Sequence, residues 1–205
     1  MKIKLCGLRR IQDIAAVNAF PPDYAGFVFA PSRRQVSPQD AAALTARLHP
    51  AILPVGVFVD EPLDSLEQAV QTANLAVIQL HGGETEEYIR QVRVRCPGKE
   101  IWKAVRVQDQ NSILQALRLG TDKLLLDSFS PHLAGGTGQT ADWQKIAQTS
   151  IPIPFLLAGG LDETNLEQAI QQVSPWGVDL SSGVETDGAK DPEKIRRIIQ
   201  LIRAL

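Results

Sequence analysis

The sequence has few cysteines, little net charge and no long apolar run. Its 205 residues include 2 cysteines, Cys6 and Cys96, which are too few for a disulfide framework, and Met1–Ile3 does not read as the start of a signal peptide. We therefore expect a cytoplasmic protein. With 21 Lys+Arg against 23 Asp+Glu and a net charge of −2, no strong field would draw it to nucleic acid or to an anionic membrane. No apolar run approaches the roughly 18 residues that span a bilayer.

The chain also lacks any segment that would divide it. It contains no Gly- or Ser-rich linker, no block of like charge and no low-complexity stretch. The composition, 44% hydrophobic and 21% charged, is ordinary for a globular protein and excludes disorder. We therefore predict one domain over residues 1–205.

What the sequence does contain is a repeating alternation. Short apolar runs recur at intervals of roughly 25 residues, and each is followed by a longer stretch with helical spacing. Most runs are apolar at consecutive positions, which is typical of parallel strands covered on both faces. The eight predicted strands are Ile3–Cys6, Tyr24–Phe29, Leu53–Val59, Ala76–Leu80, Ile101–Val105, Lys123–Asp127, Pro154–Ala158 and Gly177–Ser181. Eight near-equal units predict an α/β fold, a single compact (βα)8 TIM barrel, with a doubly wound open sheet as the alternative.

Helix start signals support the alternation. Ser37-Pro38, Asp60 to Pro62, Asp162 and Asp191-Pro192 each stand ahead of a stretch with helical spacing. In the last stretch, isoleucines at 195, 198, 199 and 202 form one apolar stripe that should cover the outside of the sheet.

Two reactive side chains stand at strand ends, where (βα)8 barrels carry their chemistry. Cys6 closes the first strand and Asp127 closes the sixth, and these strands lie three steps apart in a closed ring of eight. The two ends can therefore face each other across the mouth, with a thiol as base and a carboxyl as acid. The alternatives are that Cys6 is a buried apolar side chain and that Asp127 caps a helix or pairs with an arginine.

The loops of the second half suit a phosphate group. Gly135–Gly138, Ala158–Gly160 and Ser181–Gly183 follow strands six, seven and eight. Glycine lets backbone N–H groups approach an anion closely, and the loops after strands seven and eight commonly hold phosphate in this fold. Each glycine run alone would indicate only a turn.

Two further strand ends carry polar side chains. Arg33 and Arg34 follow strand two, where a guanidinium suits a substrate carboxylate or is simply solvated. Gln79 and His81 lie at the end of strand four, where the histidine can be a base, a hydrogen-bond partner or a structural residue. The three histidines do not fall at ligand spacing with the cysteines, and no carboxylate cluster compensates, so we expect no metal site.

Eight segments together resemble the phosphoribosylanthranilate isomerase family. They are Lys4–Leu8, Gly26–Phe29, Val55–Val59, Gln79–Gly82, Leu125–Ser128, Gly135–Gly138, Gly159–Leu161 and Val178–Glu185. The segments occur in order over essentially the whole chain. The opening cysteine motif combined with the final Ser-Ser-Gly-Val-Glu motif is highly specific.

The resemblance implies an enzyme of tryptophan biosynthesis that needs neither metal nor organic cofactor. It would convert N-(5-phosphoribosyl)anthranilate to 1-(2-carboxyphenylamino)-1-deoxyribulose 5-phosphate by an Amadori rearrangement. Asp127 would be the general acid and Cys6 the general base, while Arg34, or Arg33 in its place, would bind the anthranilate carboxylate. The other implied substrate-binding residues are Gln79, His81 and Asp179. The implied phosphate-binding residues are Gly136, Gly138, Gly159, Gly160, Ser181, Ser182 and Gly183.

Two alternatives to this function are another phosphosugar-processing barrel and a non-catalytic phosphate-binding barrel. A relative of indole-glycerol-phosphate synthase would need a catalytic lysine and glutamate at strand ends, and a metal-dependent epimerase would need histidine and aspartate ligands. A non-catalytic barrel would keep the glycine loops without Cys6 and Asp127. The expected partner is a small phosphosugar, with no nucleic acid and no membrane, and we expect a monomer, with a dimer as the alternative.

Overall fold

The computed structural model describes residues 1–128 and 139–205, and within them eight parallel strands close into a barrel. The strands are β1 (Lys2–Cys6), β2 (Tyr24–Val28), β3 (Leu53–Phe58), β4 (Val77–Leu80), β5 (Glu100–Arg106), β6 (Lys123–Asp127), β7 (Phe155–Ala158) and β8 (Gly177–Leu180). Each strand pairs with the next in chain order, and β1 pairs with β8 to complete the ring. The predicted (βα)8 TIM barrel is therefore confirmed, and the open-sheet alternative is wrong.

Eight helices alternate with the strands in the described part of the chain. They are α1 (Ile11–Ala19), α2 (Pro38–Thr45), α3 (Leu63–Thr72), α4 (Glu86–Arg95), α5 (Gln110–Leu117), α6 (Gln139–Ala147), α7 (Leu166–Val173) and α8 (Pro192–Ala204). The isoleucine stripe of α8 is buried, as predicted, at no more than 4% exposure. Among the described residues, no helix combines the length and the apolar character needed to cross a membrane.

Two of the predicted helix starts are capped by their own side chains. Ser37 accepts a hydrogen bond from the Asp40 N–H at 3.1 Å and so caps α2, and the carboxylate of Asp191 accepts from the first turn of α8. The signal at Asp162 is different. Its carboxylate accepts from the N–H of Thr164, and α7 begins only at Leu166, so Asp162 stabilises the turn before the helix.

The barrel interior is filled at its amino-terminal end. Side chains alternate between the two faces of a strand, and the inward ones form an apolar cluster that includes Tyr24, Trp102 and Leu125, with Trp176 packed against it. The rings of Tyr24 and Trp102 meet edge to face with centroids 4.8 Å apart. Because this layer plugs one end of the barrel, the opposite mouth is where inward side chains can meet a ligand.

A hairpin that the sequence analysis did not predict stands at that mouth. After a short 3-10 turn (Ser182–Val184), β9 (Glu185–Thr186) pairs antiparallel with β10 (Ala189–Lys190). The two residues between them, Asp187 and Gly188, have φ of 52° and 75°, which matches the two-residue turn that Asp-Gly favours. The hairpin returns Glu185 and Lys190 to the rim of the barrel.

Candidate active site

A cavity of about 480 Å³ opens at the carboxyl ends of the strands. The predicted site residues that line it are Cys6, Arg34, Gln79, His81, Asp127, Gly159, Gly160, Asp179, Ser181 and Ser182. Gly183 does not line it; an added side chain there would collide with the backbone of Leu161. Gly136 and Gly138 lie outside the described residues. The barrel therefore brings most of the predicted site into one pocket.

The predicted base, Cys6, is 9% exposed at the end of β1. Its thiol is free and packs over Gly26, the paired residue on β2, where a Cβ would lie 2.9 Å from Sγ. Burial raises the pKa of the Cys6 thiol, and the nearby ammonium of Lys4 opposes this rise. The thiol thus stands at the floor of the cavity with one cation directly beside it.

That cation, Lys4, is a residue that the sequence analysis missed. It is fully buried, and its Nζ donates to both carboxylate oxygens of Asp179 at 2.9 and 3.0 Å. Burial alone would lower the pKa of Lys4, but Asp179 and Cys6 together raise it, so the ammonium form persists. The sequence did hold a signal: Lys4 is a charge between Ile3 and Leu5 in an apolar strand, two residues from the cysteine and on the same face.

The predicted acid, Asp127, lines the cavity from β6, three steps from β1 in the closed ring. Its neighbour Ser128 fixes this strand end, because the Ser128 Oγ donates to the Ala158 carbonyl at 3.1 Å and accepts from Trp143 Nε1 at 3.2 Å. The thiol and the carboxyl therefore approach the cavity from opposing parts of the wall, as predicted.

His81 lies at the rim between these groups. Desolvation by the cavity walls lowers its pKa, while the carboxylate of Asp127 opposes the change, so the imidazole is neutral near pH 7.

Within residues 1–128 and 139–205, no three His, Cys, Asp or Glu side chains are grouped closely enough to hold a metal ion.

The arginine end of the cavity is organised by Glu185, which the sequence analysis quoted only as part of a motif. Arg34 binds it with two parallel hydrogen bonds of 2.8 Å, from Nε and Nη2. Lys190 donates to the same carboxylate at 2.9 Å, and Arg33, 64% exposed, reaches it at 3.2 Å. Despite burial, hydrogen bonds from Arg34 and Lys190 lower the pKa of Glu185 to about 2. Arg34 lines the cavity, whereas Arg33 lies outside its lining.

One buried polar atom at the cavity floor has no partner among the described residues. Gln79 is 1% exposed, and its Oε1 makes no hydrogen bond there, while its Nε2 lies 3.5 Å from Nδ1 of His81. Leaving a buried acceptor unsatisfied costs about 1–3 kcal/mol. Since Gln79 lines the cavity, a hydroxyl donor bound there would satisfy it.

Another part of the cavity wall is made of backbone. Gly159 and Gly160 have φ of 93° and 64°, a left-handed region that favours glycine, and Ser181 and Ser182, which follow β8, line the same cavity. The Ser181 Oγ donates to the carbonyl of Cys6 at 3.1 Å, which ties this part of the wall to the end of β1. Successive N–H groups at such turns form a cradle suited to an anion.

These features define a class of protein: a (βα)8-barrel enzyme whose pocket is lined by a thiol, a carboxyl, a guanidinium and an anion cradle. The family model described as N-(5'phosphoribosyl)anthranilate (PRA) isomerase matches residues 3–201. The chain belongs to the PRA isomerase family. The resemblance found in the sequence is therefore confirmed, together with the isomerase class of enzyme, and the alternative functions are not favoured.

Several relatives match over nearly their whole length. The N-(5'-phosphoribosyl)anthranilate isomerase of Thermoanaerobacter pseudethanolicus is 40% identical over 205 residues, covering 100% of this chain and 99% of the relative. That of Acetivibrio thermocellus is 44% identical over 207 residues, covering 98% and 95%.

The solved structures give the same result. The phosphoribosyl anthranilate isomerase of Thermotoga maritima superposes with a TM-score of 0.87 at 34% identity, covering 100% of both chains. A phosphoribosyl anthranilate isomerase in complex with reduced 1-(o-carboxyphenylamino)-1-deoxyribulose 5-phosphate superposes with a TM-score of 0.84 at 32% identity and the same coverage.

Proposed function

We propose that the chain converts N-(5-phosphoribosyl)anthranilate to 1-(2-carboxyphenylamino)-1-deoxyribulose 5-phosphate, in tryptophan biosynthesis, with Asp127 as general acid and Cys6 as general base. The observation that carries these roles is that one cavity is lined by both side chains, by Arg34 and by the backbone cradle at Gly159 and Gly160. A substrate that carries a carboxylate and a phosphate matches this set of groups. Fixing both ends keeps the ring-opened sugar aligned with the acid and the base.

The reaction requires two proton transfers at neighbouring positions. Asp127 protonates the furanose ring oxygen, the bond from C1 to that oxygen breaks, and the anthranilate nitrogen supplies the electron pair that forms a protonated Schiff base. The Cys6 thiolate then removes the proton from C2, and the C2–H electron pair forms the C1–C2 double bond of an enolamine. Proton uptake at C1 and loss of the C2 hydroxyl proton give the ketone, so that no atom or electron is gained overall.

Arg34 is the proposed partner of the anthranilate carboxylate. A guanidinium has five N–H donors, and Glu185 takes the one on Nε and one on Nη2. The donors on Nη1 make no hydrogen bond to a described residue, and one of them, together with the second donor on Nη2, forms the parallel pair that suits a planar carboxylate. Glu185 therefore orients Arg34 and leaves this edge for the substrate.

The remaining substrate contacts follow from the walls of the cavity. The Oε1 of Gln79 would accept a hydrogen bond from a sugar hydroxyl, and His81 and Asp179 would contact the middle of the substrate. The proposed phosphate cradle comprises Gly136, Gly138, Gly159, Gly160, Ser181 and Ser182. Gly183 leaves this set because it does not line the cavity and packs against the backbone of Leu161 instead.

We further propose that residues 1–205 form one catalytic domain that acts in the cytoplasm on a small phosphosugar, without nucleic acid, membrane or cofactor. The two buried free thiols, Cys6 and Cys96, support a reducing compartment.

A Thermotoga maritima relative is described as dimeric. We propose a monomer here, because the large exposed apolar side chains, such as Ile11, Val94 and Leu114, lie on different helices. Light scattering of the purified protein distinguishes the two states.

The direct test is the fluorescence decay of freshly made phosphoribosylanthranilate after mixing with purified protein and a chelator. We expect rapid decay with the wild type, and a loss of turnover by orders of magnitude in Asp127→Asn and in Cys6→Ala, each with an unchanged circular dichroism spectrum. Asp64→Asn, on the outward helix α3, is the matched control. Wild-type turnover in either site variant would remove that residue from the mechanism, and no decay with folded wild-type protein would refute the proposed reaction.

A further inference from the structure

Lys4 is a buried charge that the mechanism above does not use. It lies on β1 in the barrel interior, with Tyr24 and Asp179 as its paired neighbours on β2 and β8. Burying an ion pair costs several kcal/mol in desolvation, and well-packed apolar residues often give equal or greater stability. Fold stability alone therefore does not account for a lysine at this position.

The geometry places this charge against the proposed base. Residues 4 and 6 share the inward face of β1, and both side chains fill the space left by Gly26. A Cβ there would lie 2.9 Å from the Cys6 Sγ and 3.2 Å from the Lys4 Nζ. Two donors of the ammonium go to the oxygens of Asp179, and its positive charge, held beside the thiol, opposes the rise in the thiol pKa that burial causes.

We propose that Lys4 is a positioning residue for the base: its ammonium, held in place by Asp179, stabilises the negative charge on Cys6 Sγ when the thiol has given up its proton. The proposal rests on the proposed function, in which Cys6 acts as the base. Lys4 keeps its proton throughout, and the proton taken from C2 of the substrate goes to Sγ.

Three other charged groups act on Cys6. Asp179 raises the pKa of the thiol from β8, and Lys190 lowers it from β10, while Arg34 approaches from the loop after β2. Lys190 and Arg34 are both bound to Glu185, whereas Lys4 shares the inward face of β1 with Cys6 and is the cation that acts on the thiol most strongly. Removing Lys4 and removing Asp179 should therefore shift the thiol titration in opposite directions.

The test measures the titration of Cys6 without substrate. In a Cys96→Ser background, Cys6 is the single thiol, and its rate of alkylation by iodoacetamide follows the thiolate fraction as the pH is varied. Lys4→Met should raise the midpoint by at least about one pH unit, which slows alkylation about tenfold below the midpoint. Asp179→Asn should lower the midpoint. Lys123→Met, which removes a lysine at the closed end of the barrel beside Trp102 and Trp176, should leave it unchanged.

Because Lys4→Met alone leaves Asp179 buried without its partner, the double variant Lys4→Met/Asp179→Asn is measured alongside it. The double variant should keep a midpoint above that of the parent, since burial still acts and the cation is gone. An unchanged midpoint in both Lys4 variants, or a shift in the same direction for Lys4→Met and Asp179→Asn, would overturn the proposal. The predicted shifts together with an active Cys6→Ala enzyme would instead refute Cys6 as the base.

Discussion

Replacing Glu185 by glutamine tests whether the charged cluster at the rim is a substantial part of the stability of the fold. The side chain of Glu185 is 6% exposed and that of Lys190 is 1% exposed, and the carboxylate also binds Arg34 twice at 2.8 Å. Glu185→Gln keeps the shape of the side chain but removes its charge. The ammonium of Lys190 then lies buried without a counter-ion.

Two independent arguments give similar values for the loss in the free energy of unfolding of Glu185→Gln. Removing one partner of a buried ion pair costs about 3–5 kcal/mol, and the amide oxygen of glutamine, which still accepts one hydrogen bond, places this case at the lower end. Independently, the fall in the pKa of Glu185 from its usual 4.5 to about 2 corresponds to about 3 kcal/mol. Solvent around the partly exposed Arg34 screens part of this, so we expect a loss of about 2–3 kcal/mol in the free energy of unfolding.

The same pKa fixes the pH dependence. Because the carboxyl has a lower pKa in the folded protein than in the unfolded chain, its stabilisation is fully present above about pH 4.5 and is lost as the pH falls towards 2. The difference between wild type and Glu185→Gln should therefore be largest near neutrality and shrink steadily in acid.

Urea unfolding followed by circular dichroism at about pH 7 and about pH 3 measures this difference. Glu163→Gln is a matched control, because Glu163 also binds an arginine through two hydrogen bonds, to Arg197, but both partners are exposed. That variant should lose no more than about 1 kcal/mol. Equal losses in the two variants, or a Glu185→Gln loss that does not change with pH, would refute the reasoning.

Two further predictions concern the two ends of the substrate. Arg34→Ala should raise KM for phosphoribosylanthranilate by about tenfold to a hundredfold with little change in kcat, because charge-assisted hydrogen bonds worth about 1.5–3 kcal/mol are lost. The control is Arg33→Ala, whose steady-state kinetics should be near those of the wild type. The reverse pattern would assign the binding of the substrate carboxylate to Arg33. Gly160→Ala should weaken inhibition by inorganic phosphate. The control is Gly120→Ala, because Gly120 has a φ of 68°, close to the 64° of Gly160, so its substitution carries a similar backbone cost of about 1 kcal/mol, but it lies on a turn far from the cavity and should leave phosphate inhibition unchanged. Equal inhibition constants for the two variants would contradict a role for Gly160 in phosphate binding.

The strands were predictable because they are apolar on both faces. The run from Lys123 to Asp127 was predicted with the bounds observed for β6. β5 extends one residue beyond each end of its predicted run, to Glu100 and Arg106, because the backbone pairing continues there, between Glu100 and Val77 and between Arg106 and Asp127. Hydrophobicity locates the buried centre of a strand, and backbone pairing with the neighbouring strands then decides its ends.

The centre of the candidate site was predictable from strand-end chemistry, but its supporting charges were not. Cys6 and Asp127 stand where a strand gives way to a loop, which is visible in the sequence. Lys190 carries no such signal, because its significance depends on a carboxylate five residues earlier that a hairpin turns back towards it. The Asp187-Gly188 pair between two short segments is a recognised hairpin signature, and it was the one clue to that arrangement.

The pairing of Lys4 with Asp179 joins residues 175 positions apart. One partner lies on β1 and the other on β8, so the ammonium has no counter-ion until the eighth strand docks against the first. Contacts of such long sequence separation are costly in chain entropy and form late in folding. Closure of the barrel and formation of the Lys4–Asp179 ion pair are thus a single event. A chain truncated before β8 would carry Cys6 without the ion pair beside which the thiol is proposed to work.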